Sequence, residues 1–223
     1  MKLASLALGV LALTGTVRAG MYTFTPNPAD LYDLDHHTAV AWGVTGTDAL
    51  QSQLANGYRI SGATITIDKI WDWKKEDDML FINLLDDPKN GVQSYTDNTA
   101  DNVISNYFNG SGGNKWQGST ALTTWSDPNG GSAAGAINYS YTFGIADLAV
   151  LTSYLTDPTL NGKAAFGLGF DPDCHYYNDG IKLIIYTEKI PTNVPDSGSS
   201  VVLLTLGLAA CAYARRRFSS LRS

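Results

Sequence analysis

The strongest constraint on the fold comes from residues 57–73, GYRISGATITIDKIWDW, in which apolar and polar side chains alternate. Such alternation places the two kinds of side chain on opposite faces of an extended strand. One face would carry Ile60, Ala63, Ile65 and Ile67, and the other Thr64, Thr66 and Asp68. Gly62 interrupts the alternation, which predicts a β-bulge there. The segment therefore predicts a half-buried β-strand with one face against a hydrophobic core.

The acidic residues favour the same fold class, because 19 of the 21 are Asp and only two are Glu. Asp favours turns and loops, whereas Glu favours helices. Other patterns predict strands near residues 21–26, 38–44, 79–85 and 137–144, a hairpin within 161–189, and short helices near 101–107 and 145–157. We therefore predict a mostly β protein, an antiparallel, jelly-roll-like β-sandwich with one or two short helices.

The first 19 residues have the features of a secretory signal peptide. Lys2 precedes an apolar run from Leu3 to Leu13, and Val17-Arg18-Ala19 fits the small-x-small pattern that signal peptidase cleaves. Cleavage is predicted after Ala19. The alternative is an N-terminal core helix, which the short run and the polar strand pattern directly after it disfavour.

The C-terminal segment has three parts in order: Val194, Pro195, Asp196, Ser197 and Gly198, then an apolar run over 201–214, then Arg215, Arg216 and Arg217. The run is shorter than the span of about 20 residues that a transmembrane helix usually needs. It reaches across most of the hydrocarbon core if its flanks snorkel. The arginines would stay on the cytoplasmic side as a stop signal. The alternatives are a permanent anchor and a buried C-terminal helix.

The predicted organisation follows from these two ends. It comprises a signal peptide (1–19), a β-sandwich domain (20–190), a linker with the VPDSG stretch (191–200), a transmembrane helix (201–214) and a basic cytoplasmic tail (215–223).

The tripartite tail resembles the sorting signal of PEP-CTERM proteins, in its VPDSG-CTERM variant. In that family a membrane-embedded exosortase, a cysteine protease and presumed transpeptidase, reads the tail. Segments of the body, including YDLDHHTAVAWGV, DDMLFINLLDDP and FGLGFDPDCHYYNDGIKL, are similar to the globular region of such proteins. The resemblance implies an exported protein of a Gram-negative bacterium. A precursor tethered to the inner membrane would then reach the cell surface or the extracellular matrix, and proteins of this kind are usually linked to exopolysaccharide. It implies no catalytic residues.

Charge limits the partners of the exported body. Residues 20–196 hold nine basic and all 21 acidic residues, a balance of −12. Such a surface repels nucleic acid and anionic lipid. The chain has two cysteines, Cys174 and Cys211, of which the second lies in the apolar tail, so no disulfide within the body is expected.

Two D-x-D-x-H stretches are candidate metal ligands. Asp33, Asp35 and His37 form the first, Asp171, Asp173 and His175 the second, and Asn178 and Asp179 follow closely. Where the backbone is extended, residues at period two share a face. Oxygen-rich ligands favour a structural Ca²⁺, whereas histidine with carboxylate also suits Zn²⁺ or Mn²⁺. The alternative is ordinary turn and loop hydrogen bonding, and EF-hand spacing is absent.

The patterns give little support to an enzyme. Cys174 and His175 are adjacent, so they would point to opposite faces of an extended segment, and Cys174 is predicted to be a small buried hydrophobe. Two acidic pairs, 77–78 and 86–87, could resemble glycosidase carboxylates, but they are predicted to be solvated turn residues at the ends of a strand. We therefore expect a non-enzymatic protein.

Aromatic residues leave one alternative function open. The chain has five Trp and 12 Tyr, and an exposed Trp on a sandwich is a common surface for stacking sugar rings. Trp71 and Trp116 are the candidate ligand-binding residues, and Trp71 is expected to share a face with Trp73. The alternative is burial in the core. A carbohydrate-binding module for exported polysaccharide is thus the second functional hypothesis.

Overall fold

The computed structural model describes residues 20–75, 78–97, 104–109, 116, 118–156 and 162–191. The predicted signal peptide, VPDSG stretch, transmembrane helix and arginine cluster lie outside the described residues. The chain divides into two compact units, Met1–Lys189 and Ile190–Ser223. The described residues up to Lys189 belong to the first unit.

The described residues form ten strands, two α-helices and two 3₁₀ turns. The strands are β1 (Gly20–Phe24), β2 (Thr38–Gly43), β3 (Tyr58–Asp72), β4 (Leu80–Asp86), β5 (Gly91–Thr96), β6 (Ser119–Trp125), β7 (Ile137–Thr142), β8 (Phe166–Pro172), β9 (Tyr176–Tyr177) and β10 (Gly180–Lys189). The helices are α1 (Asp48–Ala55) and α2 (Ile145–Thr156), and the 3₁₀ turns are Tyr107–Asn109 and Ala133–Gly135. None of the helices in these ranges is long and apolar enough to cross a membrane.

The strands form two antiparallel sheets. The first has the order β1-β10-β3-β7, with β9 paired to β3, and the second has the order β5-β2-β8-β4-β6. Successive strands β1 to β4 alternate between the sheets. Both sheets contribute to one hydrophobic cluster, since Ile65 and Leu183 of the first belong to it together with Ile82 and Phe170 of the second. The prediction of a mostly β, antiparallel fold with two short helices is confirmed.

Strand β3 has the predicted alternation and two β-bulges. Ile60, Ala63, Ile65 and Ile67 are buried, as expected, and the register against β10 shifts beside Gly62. A second shift lies between Ile67 and Ile70 in the pairing with β7. Lys69 there has a φ of 48°, and its N–H donates to Asn138 Oδ1 at 3.0 Å. Because the extra residue reverses the alternation, Ile70 and Asp72 are buried while Trp71 and Trp73 face outward.

Strand β8 is buried along its whole length, because it lies between β2 and β4 in the middle of its sheet. Phe166, Leu168 and Phe170 belong to the cluster between the sheets. Gly167 and Gly169 alternate with them. A Cβ atom on Gly169 would lie 2.8 Å from the ring of Phe108, which covers the opposite face of the sheet. Large residues on one face and glycines on the other therefore allow both faces to be covered.

Two predictions about elements need correction, and one helix was missed. The hairpin predicted within 161–189 is wrong, since β8 and β10 belong to different sheets and the chain crosses the sandwich between them. In the region predicted as a helix near 101–107, the described part contains a single 3₁₀ turn that begins at Tyr107. Helix α1 was not predicted, because only Leu50 among its residues is buried and its apolar pattern is weak. The helix predicted from Ile145 is confirmed as α2.

Candidate functional site

Three buried side chains from separate segments meet at the end of β3. They are Asp72, the last residue of β3, Asp78, which lies just before β4, and Cys174, which lies just after β8. One ligand atom from each lies within 4.8 Å of the others. We call these three residues the acid–thiol cluster. Asp72 faces inward because of the bulge at Lys69. Cys174 faces inward because the chain turns toward the first sheet after Pro172.

The loop 127–131 and the end of β3 hold Asp72 in position. Its Oδ1 accepts hydrogen bonds from Cys174 Sγ at 3.2 Å and from the Lys74 N–H at 3.1 Å. Its backbone oxygen accepts from the Gly131 N–H at 2.6 Å. A Cβ atom on Gly130 would lie 2.2 Å from the Lys74 carbonyl oxygen, so this close approach needs glycine. The carboxylate is therefore fixed in one orientation.

Burial dominates the electrostatics of the cluster. It raises the pKa of Asp72, with the neighbouring charge of Asp78 adding to the effect, and it also raises the pKa of the Cys174 thiol. Burial raises the pKa of Asp173 to about 6, and the nearby Asp78 contributes in the same direction. Asp72 Oδ2 and Asp78 Oδ2 are buried without a hydrogen-bond partner in the described part of the chain. Burying such oxygens costs free energy unless a proton or a cation interacts with them.

The two carboxylates of the second D-x-D-x-H stretch accept hydrogen bonds from three different residues. Asp171 Oδ2 accepts from the Tyr107 N–H at 2.5 Å, while Asp173 Oδ1 accepts from the Met79 N–H and, at 3.4 Å, from the Tyr176 hydroxyl. Burial raises the pKa of Asp171 to about 7. These two carboxylates thus satisfy backbone donors on different segments.

The first stretch is not extended. Leu31, Tyr32, Asp33, Leu34 and His37 have positive φ values, so Asp33, Asp35 and His37 do not share a strand face. The period-two argument is wrong for this stretch.

The two stretches meet at a contact between His175 and Asp35. His175 Nδ1 lies 3.1 Å from Asp35 Oδ1, and His36 Nδ1 lies 3.0 Å from the same oxygen. Asn178 instead donates to the Asp30 carbonyl oxygen, and Asp179 pairs with Lys69 Nζ at 2.6 Å. Six of the eight predicted ligands are therefore divided among several structural contacts.

Four ring side chains lie on the outward side of the same region. Trp71 stacks on Tyr177 with centroids 4.5 Å apart, Tyr177 lies 4.5 Å from His175, and His175 lies 6.3 Å from Trp73. We call this row the aromatic surface. Trp73 is 46 % exposed, and Lys74 Nζ lies 5.1 Å from its ring centroid. The expectation that Trp71 and Trp73 share a face agrees with this arrangement.

Trp116 lies elsewhere. It contacts Tyr95 and Phe108 with edge-on geometry on the outer face of the second sheet and is half-buried. The two predicted ligand-binding tryptophans therefore belong to different surfaces. Trp42 and Trp125 are core residues.

Sequence reasoning missed the acid–thiol cluster. Asp78 was predicted to be a solvated turn residue, but it is buried with 9 % of its surface exposed. Cys174 is buried as predicted, but its thiol contacts a carboxylate rather than only apolar groups. The sequence signal that could have indicated the cluster was Cys174, the single cysteine of residues 20–196, which has aspartates close to it in sequence. The bulge that turns Asp72 inward had no clear signal in the sequence.

Comparison with known proteins concerns the C-terminal segment. Residues 193–218 match the family model of the VPDSG-CTERM motif. No curated protein matches the chain. The match indicates a class, that of exported proteins with a C-terminal sorting signal, and such a signal implies membrane processing by an exosortase-type system. Within that class, the signal is the VPDSG variant of the PEP-CTERM type, as the sequence indicated.

Proposed function

We propose that this chain is a non-enzymatic protein of the cell surface or extracellular matrix of a Gram-negative bacterium. A signal peptide would export it, and an exosortase-type protease would process it at residues 194–198. The observation that carries this proposal is the VPDSG-CTERM match at residues 193–218. The order of turn-forming stretch, apolar run and arginine cluster supports it, because this order suits a transient tether in the inner membrane.

The exported body is proposed to be a jelly roll. The sheet orders β1-β10-β3-β7 and β2-β8-β4-β6 support this, with β5 as an additional edge strand. The body has a net negative charge, which repels nucleic acid. Its surroundings are therefore proposed to be a matrix of neutral or hydrated polymers.

Intact mass of the protein recovered from the surface fraction of its host tests the sorting proposal. We expect a mass that lacks residues 1–19 and everything beyond about Gly198, because both signals would be removed. Replacing Arg215, Arg216 and Arg217 together by serine should abolish the C-terminal processing, since the stop signal is lost. Arg222→Ser, just beyond the cluster, is the matched control. A mature protein that keeps residues 201–223 would contradict the proposal and indicate a permanent anchor.

Binding of exported polysaccharide is the second candidate function, and the aromatic surface favours it. A row of partly exposed rings beside the polar groups of Asp35 and Lys74 provides both stacking area and hydrogen-bond partners. The rings are held by one another and by β3 and β9, so little conformational freedom would be lost on binding.

Titration of polysaccharide from the host surface tests this second function. Trp73→Ala and Trp71→Ala should each weaken binding about tenfold, because each removes one stacking partner. Tyr186→Ala, an exposed aromatic of β10 away from the aromatic surface, is the control. Equal loss in the control, or loss only in Trp116→Ala, would assign binding elsewhere.

A further inference from the structure

The acid–thiol cluster brings together the carboxylates of Asp72 and Asp78, which are close in sequence, and the thiol of Cys174, which lies far later in the chain. Cys174 Sγ and Asp72 Oδ1 are 3.2 Å apart, and the ligand atoms of all three residues lie within 4.8 Å of one another. Two ligands of one zinc ion are separated by at most about 4.5 Å, the sum of their bond lengths to the metal. The separations in the cluster are thus close to those between the ligands of one metal ion.

A second observation indicates that a cation belongs there. Asp72 is fully buried and Asp78 is nine-tenths buried, yet one oxygen of each has no hydrogen-bond partner among the described residues. Both oxygens belong to the carboxylates that converge on Cys174. Buried carboxylate oxygens are normally satisfied by donors, by a proton of their own or by a metal ion. Turn hydrogen bonding does not explain them, because the turn donors of this region already bind Asp72 Oδ1 and the Asp72 carbonyl oxygen.

The donor types select the metal. Calcium and magnesium take oxygen ligands, whereas a thiolate with carboxylates suits zinc. Three protein ligands leave one position of a tetrahedral ion for water. We propose that Asp72, Asp78 and Cys174 bind a Zn²⁺ ion. On binding, the thiol loses its proton to solvent, a zinc–sulfur bond forms, and no group is oxidised or reduced.

The ion would link β3, the segment before β4 and the turn after β8. Trp71 and Trp73 flank Asp72, and His175 follows Cys174, so the zinc ligands alternate along the chain with residues of the aromatic surface. Fixing the ligands would therefore also fix the backbone that carries those rings. The site is independent of the sorting tail, so failure of either proposal leaves the other standing.

Metal titration of the full chain, treated with chelator and kept reduced, tests the proposal. We expect one Zn²⁺ per chain by elemental analysis and a higher melting temperature with zinc, since an ion that binds the folded state stabilises it. Cobalt(II) used in place of zinc should give a sulfur-to-cobalt charge-transfer band, which reports the thiolate directly. This spectrum is measured on the unaltered protein and so does not depend on the folding of any variant.

Variants identify the ligands. Losing an outer-shell partner of a metal site already costs 10–100-fold in affinity, so loss of a direct ligand in Cys174→Ser or Asp72→Asn should lower zinc affinity by at least about 100-fold. The matched controls are Cys211→Ser, the other cysteine, and Asp179→Asn, whose carboxylate pairs with Lys69; both should bind zinc like the unaltered chain. The proposal is overturned by the absence of stoichiometric zinc, by a cobalt band that survives Cys174→Ser, or by stabilisation with Ca²⁺ but not with Zn²⁺.

Discussion

Replacing Asp171 by asparagine is expected to raise the free energy of unfolding at pH 8 by about 2 kcal/mol. Asp171 is only 2 % exposed, and its burial raises its pKa to about 7, so at pH 8 the folded protein holds a buried carboxylate. A shift from 3.8 to about 7 corresponds to at most about 4 kcal/mol. Asparagine keeps an oxygen for the Tyr107 N–H and removes the charge, but its amide brings a new donor, which offsets part of the gain.

The pH dependence has a definite sign. The folded state keeps the Asp171 proton up to about pH 7, whereas the unfolded chain releases it near pH 4. The stabilising contribution of the protonated group is therefore complete below about pH 4 and is lost as the pH rises to 7. Asp97 and Asp173, whose charges also raise this pKa, are present in both proteins. The advantage of Asp171→Asn should thus grow from near zero at pH 4 to its full value at pH 8.

Urea unfolding of both proteins at pH 4, 6 and 8 measures this difference. Asp68→Asn serves as the control, because Asp68 lies half-exposed on the outer face of β3 and its replacement should change stability little at any of these pH values. An advantage of Asp171→Asn that does not grow with rising pH would contradict this prediction. A constant large advantage would mean that the folded protein already holds the ionised carboxylate at pH 4, and a constant negligible one that the carboxyl stays protonated up to pH 8.

Local patterns in the sequence predicted the elements whose periodicity is strong. Strand β3 alternates over most of its length, and α2 has Leu148, Leu151 and Leu155 at helical spacing, so both were found. The Gly62 bulge was found because glycine interrupts a regular alternation. The sandwich followed from several such strands separated by turn residues. These features depend on neighbours in sequence, which is why one sequence suffices for them.

The candidate site could not be predicted because its geometry depends on distant parts of the chain. The bulge at Lys69 is bound by the side chain of Asn138, and without that bulge Asp72 would lie on the outer face. Asp78 is buried close to Cys174, which lies almost a hundred residues later, while a pair of aspartates before an apolar run is also an ordinary turn. The assignment of β8 and β10 to different sheets is equally non-local.

Truncation of Phe170 to alanine is expected to destabilise the body by about 4 kcal/mol, the usual cost of deleting a large side chain from a packed core. Phe170 is fully buried on β8, where it pairs with Val40 of β2 on one side and Ile82 of β4 on the other. Its neighbours are held in both sheets, so they cannot collapse easily into the space. For a domain of this size the melting temperature should fall by about 8–16 °C.

The control for this truncation is Ile145→Ala at the start of α2, where the side chain is 90 % exposed. Removing it should change stability by less than about 0.5 kcal/mol, because no core contact is lost and alanine is a better helix former. Thermal and urea unfolding of the two variants therefore compare the loss of a large apolar side chain with and without burial.

A loss below about 1 kcal/mol for Phe170→Ala would be too small for a residue at the centre of the core. It would mean that β8 is not the central strand of its sheet. The positions of Asp171 and Cys174 would then also be wrong, because both residues follow Phe170 along the chain and their orientations depend on that strand.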